Sequence, residues 1–394
     1  MSSRTYLLAA GAFTVGTSGY IISGVLPAVS QELSVSTATA GQLVTAFAIA
    51  YAIASPLLAA ATGRWERRRL LVAALLVSAL GNALAAVAPT YELLLAARVL
   101  SALGAAVFTP VATGVAALLS PPERRGRAVA VVFGGLTVAL ILGVPAGNLL
   151  GGKIGYQGVF ALVAALSAVA AAAVWAGVPT VAAPPAATVR ERVAVLADRQ
   201  VRLVLGMTVL GVLAAFSVFT YIAPLLSATA SVDGTTLSLL LLVYGVGGAV
   251  GNSVGGRATD RYGSRTPMLV TFSMCVVVLA TLPLTMGTVG GAAVALFAWG
   301  LLTWSVNPPI QKWLIDIAPA NSNLLLSLNA SAIYLGVGLS GVFGGLVISL
   351  WGILALAPVA AAVGAVALAM LVTSGRPPEQ APAAEPAAAL AAKG

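Results

Sequence analysis

Long apolar stretches alternate with short polar ones along the whole chain, at the length of a bilayer crossing. A hydrocarbon core about 30 Å thick needs about 20 apolar residues in a helix. Twelve stretches meet that requirement. The first six cover residues 6–27, 41–62, 70–88, 93–119, 128–150 and 159–178. The second six cover 201–226, 237–255, 267–286, 291–315, 324–350 and 353–372. They are rich in Ala, Leu and Val and lack the alternation of a membrane β-barrel strand. The pattern predicts an all-α membrane protein with twelve transmembrane helices.

The polar intervals divide the chain. Residues 1–178 are expected to form one six-helix bundle and 201–373 another. Residues 179–200 form a Pro/Ala-rich, then charged, cytoplasmic linker between them. Residues 374–394 form a Pro/Ala/Glu-rich tail, expected to be disordered. Basic residues orient the helices. With Arg4 inside, eighteen of the twenty Lys and Arg residues fall on the same side; Lys153 and Arg98 are the exceptions. Cytoplasmic loops carry such an excess, which predicts that both termini are cytoplasmic.

Composition agrees with lipid as the solvent. The 394 residues are 60% apolar and 8% charged, with a mean hydropathy of +1.02. A soluble domain carries about 25% charged residues. The formal charge of +9 does not indicate nucleic acid, because its residues lie in short clusters between apolar runs. There is no His, and the single cysteine, Cys275, lies inside an apolar run. No disulfide, metal site or cofactor is therefore expected. The first apolar run exceeds signal-peptide length.

The halves echo each other. A basic loop follows the second stretch of each, with Arg64, Arg67 and Arg68 in one and Asp260, Arg261 and Arg265 in the other. Small residues form stripes at helical spacing: Gly143, Gly147 and Gly151 around Pro145, then Gly247, Gly251 and Gly255, then Gly341 and Gly345. Such stripes let helices approach closely, and Pro145 should kink its helix. Arg98 stands within the fourth stretch, near its outer end. A cation there is a functional candidate by default, although it could also snorkel to the interface. Pro308-Pro309 should break the tenth stretch after Asn307 and free backbone groups for a cavity.

On these features the chain resembles the major facilitator superfamily over nearly its whole length. It is most similar to the bacterial twelve-helix drug and sugar efflux branch that includes chloramphenicol-resistance exporters. Gly256 to Arg265 look like the family's Gly-x-x-x-Asp-Arg-x-Gly-x-Arg loop, which implies a cytoplasmic latch; the first-half copy has Gly63 at the Asp position. The fifth stretch resembles the family's antiporter signature. The resemblance implies that the glycine stripes of helices 5, 8 and 11 form the contact between halves. It also implies a monomer in a bacterial cytoplasmic membrane, with a central cavity lined by helices 1, 4, 7 and 10, helped by 2, 5, 8 and 11. On those helices the substrate-binding candidates are Thr17, Tyr20, Tyr51, Arg98, Phe216, Thr220, Tyr221, Tyr244, Trp299, Trp304, Asn307, Asn329 and Tyr334.

One departure bears on mechanism. Gly19 stands in a Gly-Thr-Ser segment where many relatives carry an acid, and none of the eleven Asp and Glu residues falls near the middle of a stretch. A proton carrier needs a group whose pKa can swing, so proton coupling lacks an evident carrier here. A neutral or weakly anionic substrate fits better than an organic cation. The expected function is export of small drug-like or sugar-like molecules, with an uncoupled facilitator or uptake carrier as the alternative. A membrane enzyme would show clustered His, Asp, Glu or Cys, and a receptor would show a sizeable soluble domain; neither is present in the sequence.

Overall fold

A computed structural model describes residues 3–121, 125–182, 197–230, 232, 234–318 and 322–374. Most of the expected linker and nearly all of the expected tail lie outside the described residues. Regular structure among the described residues is entirely helical.

In the first half, α1 (Ser3–Tyr20) and α2 (Ile22–Glu32) make one crossing bent by 42°. Then α3 (Thr37–Ala61), α4 (Arg67–Ala86) and α5 (Tyr91–Leu118) cross singly. Next, α6 (Arg125–Val138) passes through a π turn (Ala139–Gly143) into α7 (Val144–Gly177). Gly155, at φ 66° and ψ 170°, splits α7 and so separates the fifth crossing from the sixth. Only glycine adopts that backbone without strain.

The second half repeats the plan. A crossing interrupted at Tyr221 is made of α8 (Arg199–Thr220) and α9 (Ile222–Ala230). Single crossings α10 (Gly234–Tyr262) and α11 (Arg265–Thr285) follow. A broken crossing, α12 (Val289–Ser305) with α13 (Asn307–Ile317), comes next. The last two are α14 (Ser322–Trp351) and α15 (Leu356–Thr373). Counting interrupted pairs once and α7 twice gives twelve crossings among the described residues.

Proline chemistry explains two irregularities. Pro308 and Pro309 occupy the first turn of α13, where a missing N–H costs nothing, and the helix restarts there after Val306. Pro145 supplies no N–H to the preceding turn. The expected kink appears as the π turn just before it, which relaxes the hydrogen-bond ladder by one residue.

Large apolar side chains such as Ile53, Leu57, Leu284, Val294 and Leu350 point outward, as a lipid-facing surface requires. Inside, one apolar cluster draws on α1 and α3–α7, joined at its edge by Tyr334. A second draws only on residues after 200. A third bridges the halves through α2, α3, α8–α10 and α14.

The glycine stripes correct one expectation. A Cβ at Gly143, Gly147 or Gly151 would meet Thr17, Ile21 or Val25 of the first crossing, in the same half. A Cβ at Gly247, Gly251 or Gly255 would meet backbone oxygens of Phe297, Leu301 and Ser305, again in the same half. These two stripes, with Pro145 beside the first, seat helices within a half. Close backbone approach is equally useful there, so spacing alone does not say which neighbour is served. Gly341 and Gly345 do lie against α3 of the other half. Another contact between halves uses Gly245, whose Cβ would stand 2.7 Å from Ile141 Cα.

Candidate functional site

The two halves meet along a seam whose contacts concentrate on the side away from the chain termini. There Gln42 Nε2 of α3 donates to Gly341 O of α14 at 3.3 Å. The Tyr221 hydroxyl donates to Gly341 O at 2.8 Å and to Ala38 O at 3.4 Å. Its ring lies against Gly41, Gly344 and Gly345, where side chains would collide with it. Asn148 Nδ2 of α7 donates to Gly234 O at 3.0 Å and Ser238 Oγ at 2.8 Å, both on α10. Nearer the middle, Gly338 packs on Ile49, and Tyr51 stacks on Tyr334 with centroids 3.5 Å apart. On the terminal side, α10 follows the π turn and α7 rather than α6. The arrangement is closed on one side of the bilayer.

Inside the seam, aromatic residues from both halves form a continuous path. Tyr20 lies 6.5 Å from Phe216, Phe216 lies 5.6 Å from Phe219, and Phe219 stacks on Tyr244 at 4.9 Å. Trp299 continues it 4.7 Å beyond Tyr244. The Tyr20 hydroxyl stands near those of Tyr51, Tyr334 and Tyr244. Trp304 and Thr303 flank the Tyr244 hydroxyl, while Thr17 Oγ1 and Trp299 Nε1 are buried without a hydrogen bond. Gly248 leaves the space that the Trp304 indole fills.

Arg98 is the charged member. It is fully buried and does not snorkel. The helix break at Ile21 explains this, because it exposes carbonyls that a guanidinium can reach. Nη1 donates to Ser18 O at 2.6 Å and Nη2 to Gly19 O at 3.4 Å. The guanidinium lies 4.4 Å over the Phe47 ring and 5.8 Å from that of Phe160. Ser18 Oγ in turn donates to Asn82 Oδ1 of α4 at 3.0 Å.

Other candidates have structural occupations. Asn329 accepts from Thr208 at 2.9 Å and ties α14 to α8 inside the second half. Thr220 pairs with Ser340 at 3.4 Å. Asn307 opens α13 and is half-buried. Gln42, Asn82 and Asn148 were absent from the expected set. Their signal was available, since each is a lone amide inside a predicted crossing. An open apolar groove of about 540 Å³ between α1 and α6, lined by Tyr6, Phe13 and Val138 among others, contains none of the candidates.

The basic loops contact their own halves in this structure. Arg265 donates to Ser374 O at 2.8 Å and Val372 O at 3.1 Å, at the end of α15. Arg68 lies 4.6 Å over Trp175 near the end of α7, and Arg67 donates to Gly63 O at 3.1 Å. Each loop therefore pins the last helix of its own half or closes on itself. Arg64 and Asp260 are exposed, and Arg261 lies over neighbouring Tyr262 at 5.3 Å. Asp260 forms no ion pair among the described residues, where Lys312–Asp316 at 2.9 Å is the one found. Glu66 caps α4 through the N–H groups of Arg68 and Arg69, and accepts from Val181 N at 2.9 Å. Burial pushes its carboxyl up, but those three N–H groups and the Arg68 charge outweigh it and hold the pKa below the ordinary value.

Comparison with known proteins gives this geometry a family. The model of the Major Facilitator Superfamily matches residues 8–323 and 205–393. Inner membrane transport protein YdhP of Escherichia coli (strain K12) is 34% identical over 342 residues, covering 87% of this chain and 88% of that one. A chloramphenicol resistance protein of Streptomyces lividans is 38% identical over 261 residues, covering 65% and 66%. Among solved structures, a bacterial homolog of the human lysosomal transporter Spinster, crystallised in an inward-facing and occupied conformation, superposes with a TM-score of 0.74. It is 15% identical, and the superposition covers 94% of this chain and 95% of that one. The chain is not an enzyme but a transporter of the bilayer, and it belongs to the major facilitator superfamily.

Proposed function

We propose that this protein exports small, neutral or weakly anionic organic molecules from a bacterial cytoplasmic membrane by alternating access. In this reading the termini are cytoplasmic and the structure is the inward-facing form. The halves, residues 1–178 and 201–373, rock about the seam as two bodies of a monomer. The observation that carries the reading is the one-sided closure of that seam. Gln42, Tyr221 and Asn148 hold it through a few bonds of modest strength, about 1 kcal/mol each, which suits an interface that must open and re-form. The aromatic path in the middle, with buried Tyr hydroxyls and unpaired Trp299 and Thr17 groups, has the composition of a small-molecule site. That the Streptomyces relative is named for chloramphenicol resistance supports a drug-like substrate.

The test is accumulation of substrate in a pump-deficient bacterium expressing the protein, comparing chloramphenicol, a neutral sugar and a cationic dye, each with and without a protonophore. Reduced accumulation that the protonophore abolishes supports proton-driven export. A second reading, an uncoupled facilitator, is favoured by Gly19 and by the lack of a carboxylate in mid-crossing. Equilibration insensitive to the protonophore supports that reading instead. Absence of flux for every compound argues against both readings for these substrates.

A further inference from the structure

The charge inventory of the first half is unbalanced at Arg98. Its guanidinium carries five N–H donors. Two nitrogens are met by the carbonyls of Ser18 and Gly19, and Nε is buried without a hydrogen bond. Two aromatic rings lie against it as well, Phe47 at 4.4 Å and Phe160 at 5.8 Å. No carboxylate pairs with it among the described residues. A buried cation held by neutral groups alone is incompletely compensated.

Gly19 supplies the space in which compensation would fit. A Cβ there would meet only the edge of the Phe47 ring, at 3.4 and 3.6 Å, the same ring that the guanidinium covers. Gly19 is half-exposed, in contrast to the buried Ser18 before it. A side-chain carbon is thus accommodated at this position, next to a cation that lacks an acid. Tyr20 follows immediately, with the Tyr51–Tyr334 stack close by.

Resting on the transport reading above, we propose that Arg98 is the counter-charge for the substrate itself, and that the substrate is an aromatic monocarboxylate. Its carboxylate enters beside Gly19 and accepts from Arg98 Nε, the guanidinium nitrogen left without a hydrogen bond. Its ring lies among Phe47, Tyr20 and Tyr51. The protein leaves out an acid of its own, and the substrate brings it.

Three probes of one shape separate charge from hydrophobicity: 2-naphthoate, 2-naphthamide and the 2-naphthamidinium cation. Calorimetric titration of the purified full-length protein should give naphthoate at least tenfold tighter binding than either other probe. Gly19→Asp places an acid beside Arg98; naphthoate should weaken about tenfold and the preference should vanish. Arg98→Lys keeps the charge without the guanidinium and should retain a reduced preference. Thermal unfolding of each variant verifies that it is folded, and the wild-type probe series decides alone if Gly19→Asp is not. Equal affinity for naphthoate and naphthamide, binding of none of the three, or undiminished naphthoate affinity in folded Gly19→Asp overturns the proposal. Vesicle flux separates this from the transport reading. Naphthoate bound as expected but never transported sinks the transport reading and leaves the site. Neutral probes transported without any naphthoate preference do the reverse.

Discussion

The first and seventh crossings are interrupted at corresponding places, Ile21 and Tyr221, and the two breaks are held in opposite ways. At Ile21 the freed carbonyls turn inward to Arg98 of the same half, and the Ser18 hydroxyl turns to Asn82, also of the same half. At Tyr221 the break reaches outward. The Tyr221 hydroxyl lies 2.8 Å from Gly341 O of its own half, the carbonyl that Gln42 of the other half also reaches, and 3.4 Å from Ala38 O across the seam. The corresponding helix of the second half, α12, carries no cation; its Trp299 is neutral, fully buried and tilted against Tyr244. A repeated six-helix plan has been divided between two tasks. One break forms a charged recess next to the aromatic path; the other fastens the halves together.

Breaking the inward-held side should have the largest effect. Arg98→Ala removes the donors of two buried carbonyls, at about 1–3 kcal/mol for each group left unsatisfied. Transport is expected to fall to background, and the melting temperature should drop by several degrees in a thermal-shift assay. Next come the glycines, which sharpen the division between packing and seam. Gly251→Ala drives a methyl into the Leu301 carbonyl within one half, so it should lower the melting temperature with the conformational balance unchanged. Gly245→Ala pushes on Ile141 across the seam, so it should raise outward-facing accessibility to thiol reagents while stability within each half is kept.

Removing single bonds on the outward-held side should cost less. Tyr221→Phe and Asn148→Ala each give up about 1 kcal/mol. Each is expected to shift the inward-to-outward ratio about fivefold, read by labelling of cysteines placed on the far side.

The smallest effect concerns Glu66. Its folded-state pKa lies below the ordinary carboxylate value, so its contribution is complete above that ordinary value and is lost as pH falls through the folded one. Protection of the Val181 amide in hydrogen exchange should therefore weaken in acid. Glu66→Gln should reduce that protection at neutral pH too, and flatten its pH dependence.

Much of this was legible in the residues. Twelve crossings followed from apolar run length, and the break in the tenth from Pro308-Pro309. Arg98 announced itself as a cation in an apolar run, though its direction did not, because the helix break that receives it has no proline to mark it. Ile21 lies between two Ser-Gly pairs, Ser18-Gly19 and Ser23-Gly24, which loosen a helix without saying which distant side chain takes up the freed carbonyls. The glycine stripes showed close packing but not its target, since an i, i+4, i+8 stripe looks alike facing its own half or the other. Arg265 and Arg68 were visible as loop cations; their hold on Ser374 and Trp175 is a tertiary fact.

The most direct test of the account is the distance between α6 and α10 on the terminal side. Gly134 and Gly256 both have open space around them, so each can carry a spin label after replacement by cysteine in a Cys275→Ser background. Pulsed electron resonance on the protein in nanodiscs should find a long distance as the main population. Tyr221→Phe should add a shorter one, as the seam opens on the far side and the terminal side closes. One unchanging distance in both proteins, with transport intact, would contradict rocking about this seam.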